Sequence, residues 1–483
     1  MIFQKSLFYK YTLQKAANEN KTDIIYYLLS KEREMKEYCF ANTKIKQIAI
    51  PPNITFIPKG SFYKCSLLTD VSIPSSVTSI KRSAFNECTS LQQLKIPNSV
   101  VSIDDYAFYV CSSLIKVNIP LKVALIGEKA FYGCSSLKQI IIPSSITSIG
   151  GYAFEICSSL INLSIPSSVT SIGKYAFDGC TSLKQISISS SLTSIEEGLF
   201  SGCSALTQIT IPSSVTAIKD GVFNGCLLLA SVTFKNPSSL KKIGECAFYK
   251  CSLKEMILPS SLVSIGSYVF YECSSLMKIT IPSSVTSFGK WSFKDCSSLK
   301  QITFQVPSSM TIIGEYFFGS CSSLTRITIP ASVTTIKKYA FDQCSSLSTI
   351  TFEHPSSLLS IDDYAFSSCS SLREIQIPSS LTSIGIASFT GCTSLCKLTF
   401  DSPSSLISIK DFAFHECISL KEVIFPSSIE SIGSYAFQEC ISLEYVSIPS
   451  MTKIYKSTFD RCTSLPPNSI PRLSSIDDGC FVF

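Results

Sequence analysis

One arrangement of apolar and polar positions recurs from about residue 45 to the C-terminus. It is clearest in Ile165 to Ile188, IPSSVTSIGKYAFDGCTSLKQISI. Counting from Cys180, Ile172 lies eight before, Ala176 four before and Phe177 three before. Leu183 lies three after, Ile186 six after and Ile188 eight after. The same lattice surrounds Cys88, Cys111, Cys134, Cys157, Cys203, Cys273, Cys296, Cys344 and Cys440. A fixed period of this length marks a solenoid, in which each unit buries its apolar side against the next. Within a repeat, Leu183, Ile186 and Ile188 alternate with polar residues in the manner of a half-buried strand. Pro166 and its equivalents follow the strand and force a turn, because proline cannot donate to the ladder. Val169 and Ile172 then return to the core, and Gly173 loosens the chain. Ala176, Phe177 and Cys180 fall within one helical turn, so the pattern predicts a single short helical turn there. Strands of successive repeats stack in parallel at about 4.8 Å.

The period has a second, slower structure. Lattice cysteines run at intervals of 23 from Cys65 to Cys226. Beyond Cys226 the intervals vary between 22 and 25, through Cys251, 273, 296, 321, 344, 369, 392, 417, 440 and 462, for 18 lattice cysteines in all. The four longer intervals, of 25, share one cause. Where most repeats read TIPSSV, four read TFKNPSSL (233–240), TFQVPSSM (303–310), TFEHPSSL (351–358) and TFDSPSSL (399–406). Two residues enter after the strand and before the proline, so the insertions map to one rim of the stack. The first repeat is degraded, with Asn42 standing where its cysteine is expected.

Residues 1 to about 41 break the pattern. Leu13, Ala16 and Ala17, then Ile24, Ile25, Leu28 and Leu29, recur at helical spacing, with Asn18 to Asp23 as a break. Two short antiparallel helices fit, and they would cover the open apolar end of the stack. The run LQKAANENKTDIIYYLLS resembles the helical half of one ankyrin repeat, without its preceding turn motif.

The recurring LKQITIPSSVTSIG and YAFxxCSSL, as at Leu299–Ile302 and Tyr339–Leu347, resemble the leucine-rich repeats of BspA-like surface proteins. The resemblance covers residues 45–483. It implies an α/β leucine-rich-repeat solenoid, with a parallel β-sheet on the concave face and short helical turns on the convex face. Residues 1–41 would form a small N-terminal helical cap, and 42–483 a solenoid of about 18 repeats of 22–25 residues. It also implies adhesion or surface recognition, with a protein or glycosylated protein as partner, such as a host matrix or surface protein. The cysteine departs from general leucine-rich repeats by preceding the strand.

Composition narrows the function. Hydrophobic residues make up 45% and charged residues 16%, with a net charge of +6 spread thinly. This is core-forming material, and no basic run is dense enough for nucleic acid or anionic lipid. The N-terminus lacks a signal-peptide pattern and no stretch has 18 consecutive apolar residues, so membrane insertion is not expected. Those features and 22 cysteines without a specified pairing point to a reducing cytoplasm. The resemblance points instead to the cell surface.

Reactive chemistry is sparse. The lattice thiols share one column and read as small buried hydrophobes, neither disulfides nor metal ligands. Cys39, Cys246, Cys396 and Cys480 fall off the lattice. His354 lies in an inserted loop and His415 in a turn, neither with a nucleophile and an orienting carboxylate. The pairs Asp104-Asp105, Asp362-Asp363 and Asp477-Asp478 read as turn and capping residues rather than calcium ligands. Sequons occur at Asn20, Asn53 and Asn162. Tyr106, Tyr152, Tyr175, Tyr268, Tyr316, Tyr339, Tyr364 and Tyr435, with Trp291, form an aromatic column read as the rim of the core. No catalytic residue, cofactor or metal is expected.

That leaves the outward strand positions as the binding surface: Lys184, Gln185, Gln208, Lys278, Lys300, Gln301, Arg326, Arg373, Lys421 and Tyr445. They are polar, mildly basic and poor in aromatic anchors, which suits extended contact of modest affinity. The expected function is a non-enzymatic binding module of adhesin type. The alternative is an intracellular scaffold that docks through its N-terminal helices. The chain stops inside a repeat at SSIDDGCFVF (474–483), which leaves three readings open: an exposed last edge, self-association through it, or a truncated reading frame.

Overall fold

The computed structural model describes residues 2–32 and 34–466. Two helices stand at the N-terminus, α1 (Ile2–Asn18) and α2 (Thr22–Ser30). Leu13, Ala16, Ala17, Ile25 and Leu29 are buried as their spacing requires. Ile24 turns outward, because a residue next to Ile25 lies about 100° around the helix. The Asn18 and Asn20 side chains accept the backbone N–H groups of Lys44 and Lys46, at 2.9 and 2.8 Å. The Asn53 amide donates to the Leu29 carbonyl at 2.9 Å. Two of the three sequon asparagines are thus engaged where the helices meet the first repeat.

The rest is a parallel-sheet β-solenoid of about 18 turns with the leucine-rich-repeat fold. The chain divides into two compact units, residues 1–239 and 240–483. Both build each repeat from the same three ladders. In the first unit, Asn162–Ser164 pairs in parallel with Gln185–Ser187. A shorter second strand, Ser171–Ile172, pairs with Ser148–Ile149. Six such second strands, from Phe56–Ile57 to Ser171–Ile172, form one sheet. In the second unit, seven run from Ile312–Ile313 to Lys453–Ile454.

The third ladder replaces the expected helical turn. Among the described residues no helix follows α2, and 174–179 form consecutive turns. Tyr175 and Gly179 hold φ of +54° and +68°, which no right-handed helix accommodates. Their N–H groups therefore point along the stack. Tyr175, Phe177 and Gly179 donate to the carbonyls of Glu197, Leu199 and Ser201 in the next repeat, at 2.8, 3.1 and 2.8 Å. Spacing placed Ala176, Phe177 and Cys180 correctly inside, but it could not distinguish a helix from this ladder.

Stacked phenylalanines run through both cores. Ring centroids lie 5.4 Å apart for Phe154–Phe177 and 5.1 Å for Phe366–Phe389. The thiols hold them in place. Cys180 Sγ donates to the Phe154 carbonyl at 3.2 Å, which also accepts the Cys157 N–H at 3.1 Å. A residue here must be small and apolar yet carry a donor, and cysteine meets all three demands. At the degraded first repeat, Thr43 rather than Asn42 takes the position. Its Oγ1 donates to the Phe40 carbonyl at 2.8 Å. Asn42 sits one place earlier with φ of +60°. Gly173 serves close approach rather than looseness, since a Cβ there would lie 2.4 Å from the Gly151 nitrogen.

Candidate binding surface

The long strands alternate between outward and inward positions. In Gln208–Ile211 and Arg326–Ile329 the first and third residues are exposed and the second and fourth buried. Parallel register then turns the exposed positions into columns. In the first unit Asn162 lies beside Gln185 and Ser164 beside Ser187, whose hydroxyls are 3.2 Å apart. Gln208 and Thr210 stand beside Ser231 and Thr233. Asn162, Ser164, Gln185, Ser187, Gln208 and Thr210 floor a recess of about 720 Å³ that reaches Lys235, the first residue of an inserted loop.

In the second unit the floor is charged. Lys278 lies beside Gln301, Glu374 beside Lys397 and Glu422 beside Tyr445. A hydroxyl column runs alongside, with Thr328 and Thr351 in contact at 2.9 Å. All ten residues expected on this surface are exposed there. Gln185, Gln208, Lys278, Gln301, Arg326 and Tyr445 open their strands. Lys184, Lys300, Arg373 and Lys421 come one residue earlier. The first three in sequence belong to the first unit and the other seven to the second.

The inserted loops give this surface relief. Each is fastened at its start, where Lys235, Gln305, Glu353 and Asp401 donate their N–H groups to the preceding repeat. The loops at 353 and 401 are fastened again by Ser357 to Ala331 and Ser405 to Ser379, at 3.0 and 2.9 Å. Between these two loops lies a notch of about 220 Å³, lined by Phe352, His354, Gln376, Pro378 and Asp401 among others. Residues 352 and 401 are far apart in sequence, and the signal that joins them is the alternation of long and short repeats.

Elsewhere the polar groups are engaged internally. A larger groove, about 920 Å³, crosses the turns of the second unit from Glu272 to Glu416. Its serines are partly spent, since Ser322 and Ser370 donate to the preceding repeats' carbonyls. Asp104 and Asp105 pair with Lys81 and Arg82 at 3.8 and 3.7 Å, and Asp362 and Asp363 with Lys337 and Lys338 at 3.4 and 2.8 Å. The outer carboxylates also cap the following repeat, Asp105 accepting the Glu128 N–H and Asp363 the Ile386 N–H. This is a capping role, directed across repeats rather than into a helix. Asp477-Asp478, Cys480 and the 474–483 edge lie outside the described residues.

The aromatic column stacks on itself. Tyr268, Trp291, Tyr316, Tyr339 and Tyr364 follow at centroid distances of 5.8, 4.1, 4.5 and 4.9 Å. Each ring covers its neighbour's face, so the column offers edges and hydroxyls rather than open platforms. All 18 lattice cysteines are buried. Burial pushes the thiols of Cys111, Cys273 and Cys392 up to about 12, which removes them as nucleophiles near neutral pH. Sequence reading missed one cluster. Donor atoms of His415, Glu416 and Glu439 lie within 4.8 Å of one another. Glu439 is held by Arg461 at 2.7 Å and His415 Nδ1 lies 3.3 Å from Thr390 Oγ1. Aligning the residues just before each cysteine would have revealed it.

The family profile of the BspA type leucine rich repeat region matches in five overlapping segments spanning residues 33–483. The chain belongs to this family. A leucine-rich repeat protein from Bacteroides ovatus is similar at 28% identity, over 93% of this chain and 94% of that one, with a TM-score of 0.58. A leucine rich cell surface protein from Faecalibacterium prausnitzii shares 24% identity, over 81% and 90%, with a TM-score of 0.37. No curated protein matches. The chain is thus a leucine-rich-repeat protein of the protein-binding type, and no described helix is long and apolar enough to cross a membrane.

Proposed function

We propose that the chain is a non-enzymatic adhesin-like module that recognises an extended protein or glycoprotein through its strand face. The carrying observation is that face itself. Its exposed columns are left open to solvent, while the turn-side serines, acids and thiols are largely committed within the stack. An open polar surface poor in aromatic anchors favours many weak contacts over one tight pocket. The surface role follows from resemblance to BspA-like proteins. The same reading makes residues 1–41 a cap over the first repeat, and 42–483 the binding solenoid.

The test is binding of the full chain to surface-extracted and matrix proteins, compared with a variant carrying Lys278→Glu, Lys300→Glu and Arg326→Glu. At least a tenfold loss of affinity, with an unchanged melting temperature, is expected. Unchanged affinity would move the site off the strand face.

A further inference from the structure

The inserted loops of the second unit recur every second repeat, at Gln305, Glu353 and Asp401. Glu353 and Asp401 occupy the same place in successive loops, two rungs apart. At a strand spacing near 4.8 Å this puts their backbones about 9.5 Å apart. Neither carboxylate has a cationic partner among the described residues. Glu353 accepts the Ala331 N–H at 3.0 Å, and Asp401 accepts from the Gln376 amide. The notch at Asp401 mixes Ile350, Phe352 and Pro378, all nearly buried, with the polar Thr351, His354 and Gln376. A half-apolar slot that ends at a carboxylate suits an aliphatic stem with a cationic head.

The spacing constrains the backbone that would carry such heads. A polyproline II chain advances about 3.1 Å per residue, so every third residue returns to the same side after about 9.3 Å. An extended β-chain returns to one face after about 6.7 Å, which does not match. A helix needs seven residues, about 10.5 Å, and is about 10 Å thick, too broad to lie in the notch. We propose that the rim of the second unit binds a polyproline II segment carrying lysine or arginine at every third residue, with one such side chain in the Phe352–Asp401 notch and the next beside Glu353. This rests on the strand-face reading above: the partner's acidic or neutral stretch would lie along Lys278, Lys300 and Arg326, and its basic segment on the rim at Glu353 and Asp401.

The probe is a fluorescent peptide of four Pro-Pro-Lys triplets, titrated against the full chain by anisotropy. A Gly-Ser-Lys peptide of equal length and charge is the flexible control, and a Pro-Pro-Glu peptide the charge control. The lysine-proline peptide should bind at least tenfold tighter than either control. The double variant Glu353→Gln/Asp401→Asn, near-isosteric and checked by its melting temperature, should abolish that preference. Should that variant unfold, Gln376→Ala tests the same notch and should weaken binding several-fold. Equal binding of the flexible peptide, or a preference untouched by these substitutions, overturns the proposal. If the peptide fails while the Lys278, Lys300 and Arg326 reversals still weaken the natural partner, only this inference falls. If those reversals also have no effect, the strand-face reading falls with it.

Discussion

The two units differ least where they are buried and most where they are exposed. From Cys65 to Cys226 the first keeps an interval of 23, and its long strands present mainly amides, hydroxyls and lysines. The second alternates long and short repeats from Cys296 to Cys440, and its strands mix lysine, arginine and glutamate. Yet the phenylalanine stack, thiol bonds and turn ladder are the same in both. A lattice joined rung to rung leaves one rim free to lengthen, provided the loop is tied down at its ends. Recognition can therefore diverge along a chain whose core cannot.

The sharpest way to break this comparison is to remove a ring from each stack. Phe177→Ala and Phe341→Ala each leave a fully enclosed site, and each should cost about 3–5 kcal/mol. Denaturant titration of the full chain reads both. A loss below about 1 kcal/mol in one unit only would show that the two cores are not equivalent.

Thiol reactivity divides the units next. Cys396 is exposed on the second unit's strand face, whereas every described cysteine of the first unit is buried. In native protein without denaturant, iodoacetamide should modify Cys396 roughly a hundredfold faster than the lattice thiols, which react only after local opening. Peptide mapping reads the order, and rapid labelling of Cys180 would contradict the packed core.

Much of this was legible beforehand because buried positions obey strict spacing. Phe177, Cys180, Leu183 and Ile186 each lie where a period-based reading puts them, since one wrong side chain would disturb both neighbours. The turn ladder was not legible. Its signature is a positive φ at Tyr175, and tyrosine advertises that far less than glycine does. The Asn42 misplacement comes from a first interval one residue shorter, which puts Thr43 in the place, its hydroxyl bonded to the Phe40 carbonyl of its own repeat. On the surface, strand alternation gave the exposed columns residue by residue. The notch escaped, because it is made by residues of different repeats that meet only when long and short loops alternate.

Loop length provides a third, smaller effect. Deleting Glu353 and His354 would restore the shorter form of the repeat. The deletion removes the Glu353 bond to Ile329 but keeps the Ser357 bond to Ala331, so stability should fall by about 1 kcal/mol. Binding of the lysine-proline peptide should fall at the same time. A deletion that unfolds the chain would mean the insertion supports the core, and the division between fixed core and variable rim would fail there.

The smallest effects are electrostatic, and they carry opposite signs. Burial raises the Asp363 carboxyl, but the Lys338 hydrogen bond and the Ile386 amide outweigh it and hold it below its usual range. Its stabilising contribution is therefore present above the unfolded value near pH 4 and is lost as pH falls through the lower folded value. Asp363→Asn should weaken the fold at pH 7, with the difference closing in acid. Asp178 of the first unit and Asp342 of the second go the other way, raised chiefly by burial and only partly relieved by Ser201 and Ser367. Their ionised forms disfavour the fold, so wild type regains that stability as pH drops through the raised values. Asp178→Asn should stabilise at pH 7 by no more than about 0.5 kcal/mol, and the gain should vanish below pH 4. Both differences are read from denaturation midpoints across pH; a stabilising Asp363→Asn would show that the ion pair across repeats does not form, and a destabilising Asp178→Asn that burial does not dominate at Asp178.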